Sequence, residues 1–205
     1  MKIIGHRGAR GLAPENTVLA IKVALREKVD MIELDVRLQG KKLVLAHDPL
    51  EPGKKYTPLS DALETLAGKT PLNLELKEPE TVPLLKQALR KYDGKILFSS
   101  FNYKTLREVR EVFPYCEIAV LERWSGIRAV TKASLLHTKR LHINDKALWS
   151  GFVRSVKHEG YSIYAYTVNL RDRADELQSW GIDGICTDYP NLFNTRTHIG
   201  RSSKK

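Results

Sequence analysis

Several short polar clusters stand where buried strands would carry apolar side chains. Met31-Ile32-Glu33-Leu34-Asp35-Val36 alternates apolar and acidic residues. Side chains at i and i+2 of a strand share a face, so Glu33 and Asp35 project together. In isolation this pattern also describes a half-buried strand with one wet face. In a parallel sheet covered on both sides, two adjacent buried carboxylates repel and lose hydration unless a cation or protons neutralise them. Leu72-Asn73-Leu74-Glu75-Leu76-Lys77 repeats the arrangement, with Glu75 and Lys77 on one face. That pair alone also suits a structural ion pair. Taken together, three carboxylates suit a hard divalent cation, Mg²⁺ or Ca²⁺. No Cys/His set suits structural zinc.

Two histidines follow strand-like runs, His6 in Gly5-His6-Arg7-Gly8 and His47 in His47-Asp48. A lone histidine at a strand end is usually structural. Two that converge on a carboxylate cluster offer a general acid and a general base near neutral pH. Arg7 can fork onto a phosphate and Lys77 adds a second positive charge. The chemistry these types can perform together is metal-assisted phosphoryl transfer.

Such residues need a scaffold that brings strand ends together. Strand-like runs recur at Lys2–Gly5, Met31–Val36, Lys42–Ala46, Leu72–Leu76, Lys95–Ser99, Glu117–Leu121, Arg140–Asn144, Ser162–Val168 and Gly184–Thr187. Apolar residues at helical spacing lie between them, as in Val18, Ile21, Ala24 and Leu25. A helix is expected over Thr57–Leu66, Asn16 or Thr17 can cap the first helix, and Pro79 marks the start of the third. With Lys42–Ala46 counted as an extension of the second unit, eight βα units remain. That alternation predicts a parallel sheet and suggests a (β/α)8 TIM barrel, with a doubly wound open sheet as the alternative.

The 205 residues allow one domain with a substantial core, here assigned to residues 1–195. Lys+Arg number 34 against 24 Asp+Glu, a net charge of +10. Four of those basic residues lie in the last ten, Arg196–Lys205, which reads as a disordered tail. The remaining excess favours an anionic substrate, a nucleic acid or an anionic membrane surface. No run is long enough to span a bilayer, and the start of the chain does not read as a signal peptide. Cys116 and Cys186 lack any Cys-x-x-Cys spacing and read as core residues in a reducing cytoplasm.

In this order, the motifs resemble the glycerophosphodiester phosphodiesterase family of TIM-barrel enzymes. The matches are Gly5-His6-Arg7-Gly8, Pro14-Glu15-Asn16-Thr17, Glu33-Leu34-Asp35-Val36, His47-Asp48, Leu74-Glu75-Leu76-Lys77, Ser100-Phe101, Thr167-Val168-Asn169 and Thr187-Asp188-Tyr189-Pro190. The resemblance implies a TIM barrel in which Glu33, Asp35 and Glu75 bind a divalent metal. His6 and His47 would be the acid/base pair, with Arg7 and Lys77 on the phosphate. Glu15 would orient Arg7, and Asn16 would either cap the first helix or reach the site. The implied reaction cleaves a glycerophosphodiester to sn-glycerol 3-phosphate and an alcohol, through a cyclic phosphate or by direct attack of water.

Two departures from the family pattern stand out. His47 and Glu75 are only 28 positions apart, leaving little room for the family's usual insertion between the second and third barrel units. Tyr166 replaces the tryptophan common before Thr-Val-Asn, and Trp124 either joins the same rim or is an ordinary surface or core residue. A more open site keeps lysophospholipase D activity on lysophospholipids as an alternative, with peripheral membrane contact. A nucleic-acid-binding or interaction barrel is the non-enzyme alternative. No stacking-aromatic motif supports it, so no nucleic-acid partner is expected.

Overall fold

The computed structural model describes residues 1–193. The proposed tail, Arg196–Lys205, lies outside the described residues. Among the described residues ten strands are present, β1 (Lys2–Gly5), β2 (Met31–Gln39), β3 (Lys42–Leu45), β4 (Thr57–Pro58), β5 (Leu72–Leu76), β6 (Ile96–Ser100), β7 (Glu117–Glu122), β8 (Arg140–Asn144), β9 (Ser162–Tyr166) and β10 (Gly184–Thr187). Among the described residues the α-helices are α1 (Val18–Arg26), α2 (Leu59–Leu66), α3 (Val82–Ala88), α4 (Tyr103–Val112), α5 (Gly126–Leu135), α6 (Ser150–His158) and α7 (Arg171–Trp180).

Eight of the strands are parallel neighbours and close into a barrel, because β1 pairs with β10 on one side and with β2 on the other. The open-sheet alternative is thereby removed. Strands β3 and β4 are an antiparallel extension of β2, with Val36 opposite Leu45 and Leu45 opposite Thr57. Thr57 and Pro58, expected in a helix, instead end this extension, and α2 begins at Leu59. Proline at the very edge of the sheet is consistent with its missing N–H. The eighth unit is closed by a single 3-10 turn, Pro190–Leu192, among the described residues.

Register explains why polar residues lie inside. Ile32, Leu34 and Val36 of β2 and Leu72, Leu74 and Leu76 of β5 belong to the main apolar core between sheet and helices. The alternate side chains of those strands, Glu33, Asp35, Asn73 and Glu75, face the barrel axis together. Ile4, Tyr164 and Cys186 form a separate small apolar cluster, with Met31 and Tyr166 packed against it. Gly184 is required beside it, since a Cβ there would come within 2.7 Å of the Tyr164 ring. The outer core therefore stabilises the barrel while part of its interior is left for charge.

Thr17 caps α1, its hydroxyl accepting the Ala20 N–H at 3.1 Å. That leaves Asn16 free for another role. Strand β9 stops at Tyr166, two residues before the Val168 end expected from the apolar run.

Candidate active site

Every predicted metal-ligating or phosphate-binding residue sits at the C-terminal rim of β1, β2 or β5, the end at which barrels of this kind carry their chemistry. Donor oxygens of Glu33, Asp35 and Glu75 lie within 4.8 Å of one another. All three residues are buried. Burial, together with the charges of Asp35 and Glu75, pushes the Glu33 carboxyl well above its ordinary pKa. Burial also raises Glu75, against the opposing pull of Lys77. Burial alone would raise Asp35 too, but Lys77 and Arg7 outweigh it and hold its pKa down.

A tight turn after β1 brings arginine to these acids. A Cβ on Gly5 would overlap the Gly8 carbonyl, so the turn can fold back only over a glycine. Arg7 takes φ 49°, and its backbone N–H donates to Glu33 Oε2 at 2.8 Å. Its guanidinium donates from Nη1 to both Glu15 oxygens, at 2.8 and 2.9 Å, and places Nε 3.2 Å from Asp35 Oδ2. Arg10 Nε lies 3.0 Å from the same Glu15. Glu15 thus orients Arg7.

Asn16, buried and at φ 57°, reaches the site rather than capping α1. Its Nδ2 donates to Asp35 Oδ2 at 2.8 Å, and its Oδ1 accepts the Asp35 N–H at 3.1 Å. Lys77 Nζ lies 2.6 Å from Asp35 Oδ1 and also donates to Glu75 Oε1. Glu33 Oε1 has no hydrogen-bond partner although it is buried. A buried, partnerless carboxylate oxygen within an all-oxygen donor set fits a hard divalent cation.

His6 Nδ1 lies 2.6 Å from Asp188 Oδ1. Facing an acceptor, the neutral ring carries its proton on Nδ1 and keeps Nε2 as its basic nitrogen. Asn169 Nδ2 donates to Asp188 Oδ2 at 2.8 Å, and Asn169 Oδ1 accepts from Thr187 Oγ1 and the Asp188 N–H. Burial opposes ionisation of Asp188, but the bonds from His6 and Asn169 prevail and lower its pKa. His47 follows β3, whose antiparallel course returns the chain to the same rim: the Ala46 N–H donates to the Asp35 carbonyl at 3.1 Å. His47 Nδ1 lies 2.7 Å from Asp48 Oδ1.

Further residues build the rim. Arg37 donates from Nε and Nη2 to the His47 carbonyl, and from Nη1 to Glu78 Oε2 at 2.7 Å. Tyr166 packs edge-on against Phe101, with centroids 6.0 Å apart, and donates its hydroxyl to the Glu122 carbonyl. The Glu122 side chain accepts the N–H groups of Arg123 and Trp124. Trp124 itself is 75% exposed, on the segment that follows β7. A cavity of about 240 Å³ adjoins the site, lined by Glu15, Asn16, His47, Lys54, Lys55 and Tyr56. A larger one, about 520 Å³, opens at the opposite end of the barrel among Lys2, Arg110, Glu117, Lys139 and Arg140, remote from the acids.

The model of the glycerophosphoryl diester phosphodiesterase family matches residues 6–192. This chain belongs to that family. The enzyme class is therefore that of the phosphoric diester hydrolases. The Bacillus subtilis (strain 168) protein YhdW is 31% identical over 234 residues, covering 94% of this chain and 96% of its own length. A glycerophosphodiester phosphodiesterase of Caldanaerobacter subterraneus subsp. tengcongensis is 27% identical, with 93% of this chain and 95% of that protein covered. An Oleispira antarctica phosphodiesterase, solved in complex with the product sn-glycerol-3-phosphate, has a TM-score of 0.88 and 26% identity, covering 94% of each chain.

Within this family barrel, sequence reasoning assigned no role to Asp188, Asn169, Arg37 or Glu78. The signals for the first two were present, in Thr187-Asp188 and Thr167-Val168-Asn169. Closure of the barrel, which sets β10 beside β1, is what gives them a partner in His6. Between β3 and α2 the chain has only a short loop and β4, in keeping with the reduced insertion.

Proposed function

We propose that the chain hydrolyses glycerophosphodiesters to sn-glycerol 3-phosphate and an alcohol, with His6 and His47 as the acid/base pair. The observation carrying this reading is the buried triad Glu33, Asp35 and Glu75 threaded by Arg7 and Lys77. A divalent cation, Mg²⁺ or Ca²⁺, held by the triad would supply positive charge to the phosphoryl oxygens. Arg7 and Lys77 orient the phosphate from the two sides of Asp35. One histidine takes the proton of the glycerol 2-hydroxyl as that oxygen attacks phosphorus, and the other protonates the departing alkoxide. Water then opens the cyclic phosphate with the two roles exchanged. Asp188 and Asp48 act as positioning residues, each holding the Nδ1 side of its histidine.

The free cysteines, Cys116 and Cys186, support work in the reducing cytoplasm. No helix among the described residues is long and apolar enough to cross a membrane. Phosphorus NMR of glycerophosphocholine incubated with the enzyme tests the reading. Phosphomonoester should accumulate with Mg²⁺ or Ca²⁺ and fail to do so with EDTA or with His6→Ala. Turnover unaffected by both treatments would overturn it. Lysophosphatidylcholine in the same assay separates the lysophospholipase D alternative.

A further inference from the structure

Exposed apolar side chains are not spread evenly over this barrel. Among the described residues, large ones fall mainly in segments that follow barrel strands: Leu12 after β1, Trp124 and Ile127 after β7, Trp149 after β8, Leu170 after β9 and Leu192 after β10. Barrel topology puts all these segments at one end, around the acid cluster. The opposite end exposes Met1, Tyr115 and Leu135. Single exposed apolar residues are ordinary, but a collar of them around one mouth is an interaction surface. Trp124 is 75%, Leu170 71% and Trp149 53% exposed. Leu170 stands at the N-cap of α7, where its side chain makes no capping bond.

Charge on the same arc is one-sided. In the segments from β6 onward, including the first turns of their helices, Lys104, Arg123, Arg128, Lys146 and Arg171 are exposed, against Asp172 as the exposed acid. Asp145 is paired with Arg173 and Asp188 with His6, while Arg128 lies 3.6 Å from Glu122 and Lys104 3.9 Å from Glu108, so the excess positive charge rests on Arg123, Lys146 and Arg171. Arg123 lies 5.8 Å from the centroid of the Trp124 ring, so an aromatic face and a cation are presented side by side. Tryptophan favours the boundary between headgroups and acyl chains, leucine and isoleucine add buried apolar area, and lysine and arginine are drawn to anionic lipid.

We propose that this rim docks on an anionic lipid bilayer, setting the mouth of the barrel against the headgroups. Delivery of a lysophospholipid from that surface to the acid cluster rests on the phosphodiesterase reading above; the docking does not.

The test is cosedimentation of the full chain with vesicles of mixed phosphatidylglycerol and phosphatidylcholine, and with vesicles of phosphatidylcholine alone. The protein should bind the mixed vesicles, more weakly at high salt, and bind the neutral ones poorly. The double variant Trp149→Ser/Leu170→Ser should lose at least about tenfold in vesicle affinity while keeping its rate on soluble glycerophosphocholine. Lys104→Glu/Lys146→Glu, which leaves the apolar collar intact, should also weaken binding to the mixed vesicles. No binding by the unaltered protein, equal binding to neutral vesicles, or both variants binding undiminished would overturn the proposal. So would a dimer in solution that the Trp149→Ser/Leu170→Ser pair dissociates, since the collar would then belong to a second copy. A His6→Ala protein that is inert but still binds vesicles supports docking independently of the catalytic assignment.

Discussion

Asp188→Asn exchanges one oxygen for an amide nitrogen at the most constrained hydrogen-bond junction of the site. Asp188 accepts on both oxygens, with His6 Nδ1 at 2.6 Å and Asn169 Nδ2 at 2.8 Å. Asn169 cannot turn its amide over without losing the bonds its Oδ1 accepts from Thr187 Oγ1 at 3.1 Å and the Asp188 N–H at 2.9 Å. An asparagine at 188 therefore has to aim its oxygen at Asn169 and its NH₂ at His6. Imidazole facing a donor must accept at Nδ1, which moves its proton to Nε2 and removes the lone pair needed to act as a base. A wrong-tautomer change of this kind in a serine-protease triad lowers kcat by about 10⁴, and the loss expected here is about 10³ to 10⁴, or about 4–5 kcal/mol of barrier. The hydrogen-bond count is unchanged, so the melting temperature should move by only a few degrees. Release of glycerol 3-phosphate gives kcat, and ¹⁵N chemical shifts of His6 give the tautomer. A kcat within about threefold of the unaltered enzyme, or a His6 tautomer unchanged by the substitution, would refute the positioning role of Asp188.

Three other expectations follow from the same geometry. Asn16→Ala leaves a buried Asp35 oxygen and the Asp35 N–H with one partner fewer, at a residue with positive φ; urea titration should read a loss of about 2–4 kcal/mol, and Asn16→Gly should recover the backbone part of it. Arg37→Ala removes both donors from the His47 carbonyl and the ion-pair partner of Glu78, which keeps the Leu38 N–H, so kcat should fall by about tenfold with little change in far-UV circular dichroism; an unaltered kcat would show that the loop holds His47 without it. Glu33 and Glu75 have folded pKa values raised above the ordinary 4.5, so the folded state keeps their protons longer than the unfolded chain does, and the stability this confers declines as pH rises from 4.5 through the raised values. EDTA-treated protein should accordingly melt at lower temperature as pH is raised, and Mg²⁺ should raise the melting temperature most at neutral pH, whereas a metal response that is flat with pH or absent would contradict a cation-binding triad.

The barrel was legible because its signals are local. Nine apolar runs at roughly regular spacing mark the strands, and alternate residues in Met31–Val36 and Leu72–Leu76 mark which face is charged. What escaped depends on contacts distant in sequence. His6 and Asp188 are 182 positions apart and meet only because the last strand closes on the first. Arg37 and Glu78 are 41 apart and meet because β2 and β5 are neighbours while β3 and β4 are hung on the outer side of β2. Asn16 was ambiguous for a different reason: Asn and Thr cap helices comparably well, and only the placement of Thr17 one residue closer to α1 decides between them. Trp124 was ambiguous because aromatic residues at a strand end serve walls and surfaces alike.

Formal charge accounts for the cation in the proposed mechanism better than the overall basicity of the chain does. Arg7 and Lys77 are the positive groups nearest the acids, and neither has its charge to spare. The first is held by Glu15 and Asp35, the second by Asp35 and Glu75. With all three triad carboxylates ionised they leave one net negative charge, so a phosphodiester monoanion approaching that state alone would meet its own sign. At about 4 Å and an effective dielectric constant of about 20, that repulsion is about 4 kcal/mol, and a divalent cation on the triad turns it into an attraction of similar size. The same addition would give Glu33 Oε1 its missing partner and offset the burial and the neighbouring charges that raise the Glu33 pKa. Under the proposed reading, one ion held by the triad would couple substrate binding to the stability of the acid cluster, whereas the exposed lysines and arginines on the rim would act on where the protein sits and not on the phosphorus.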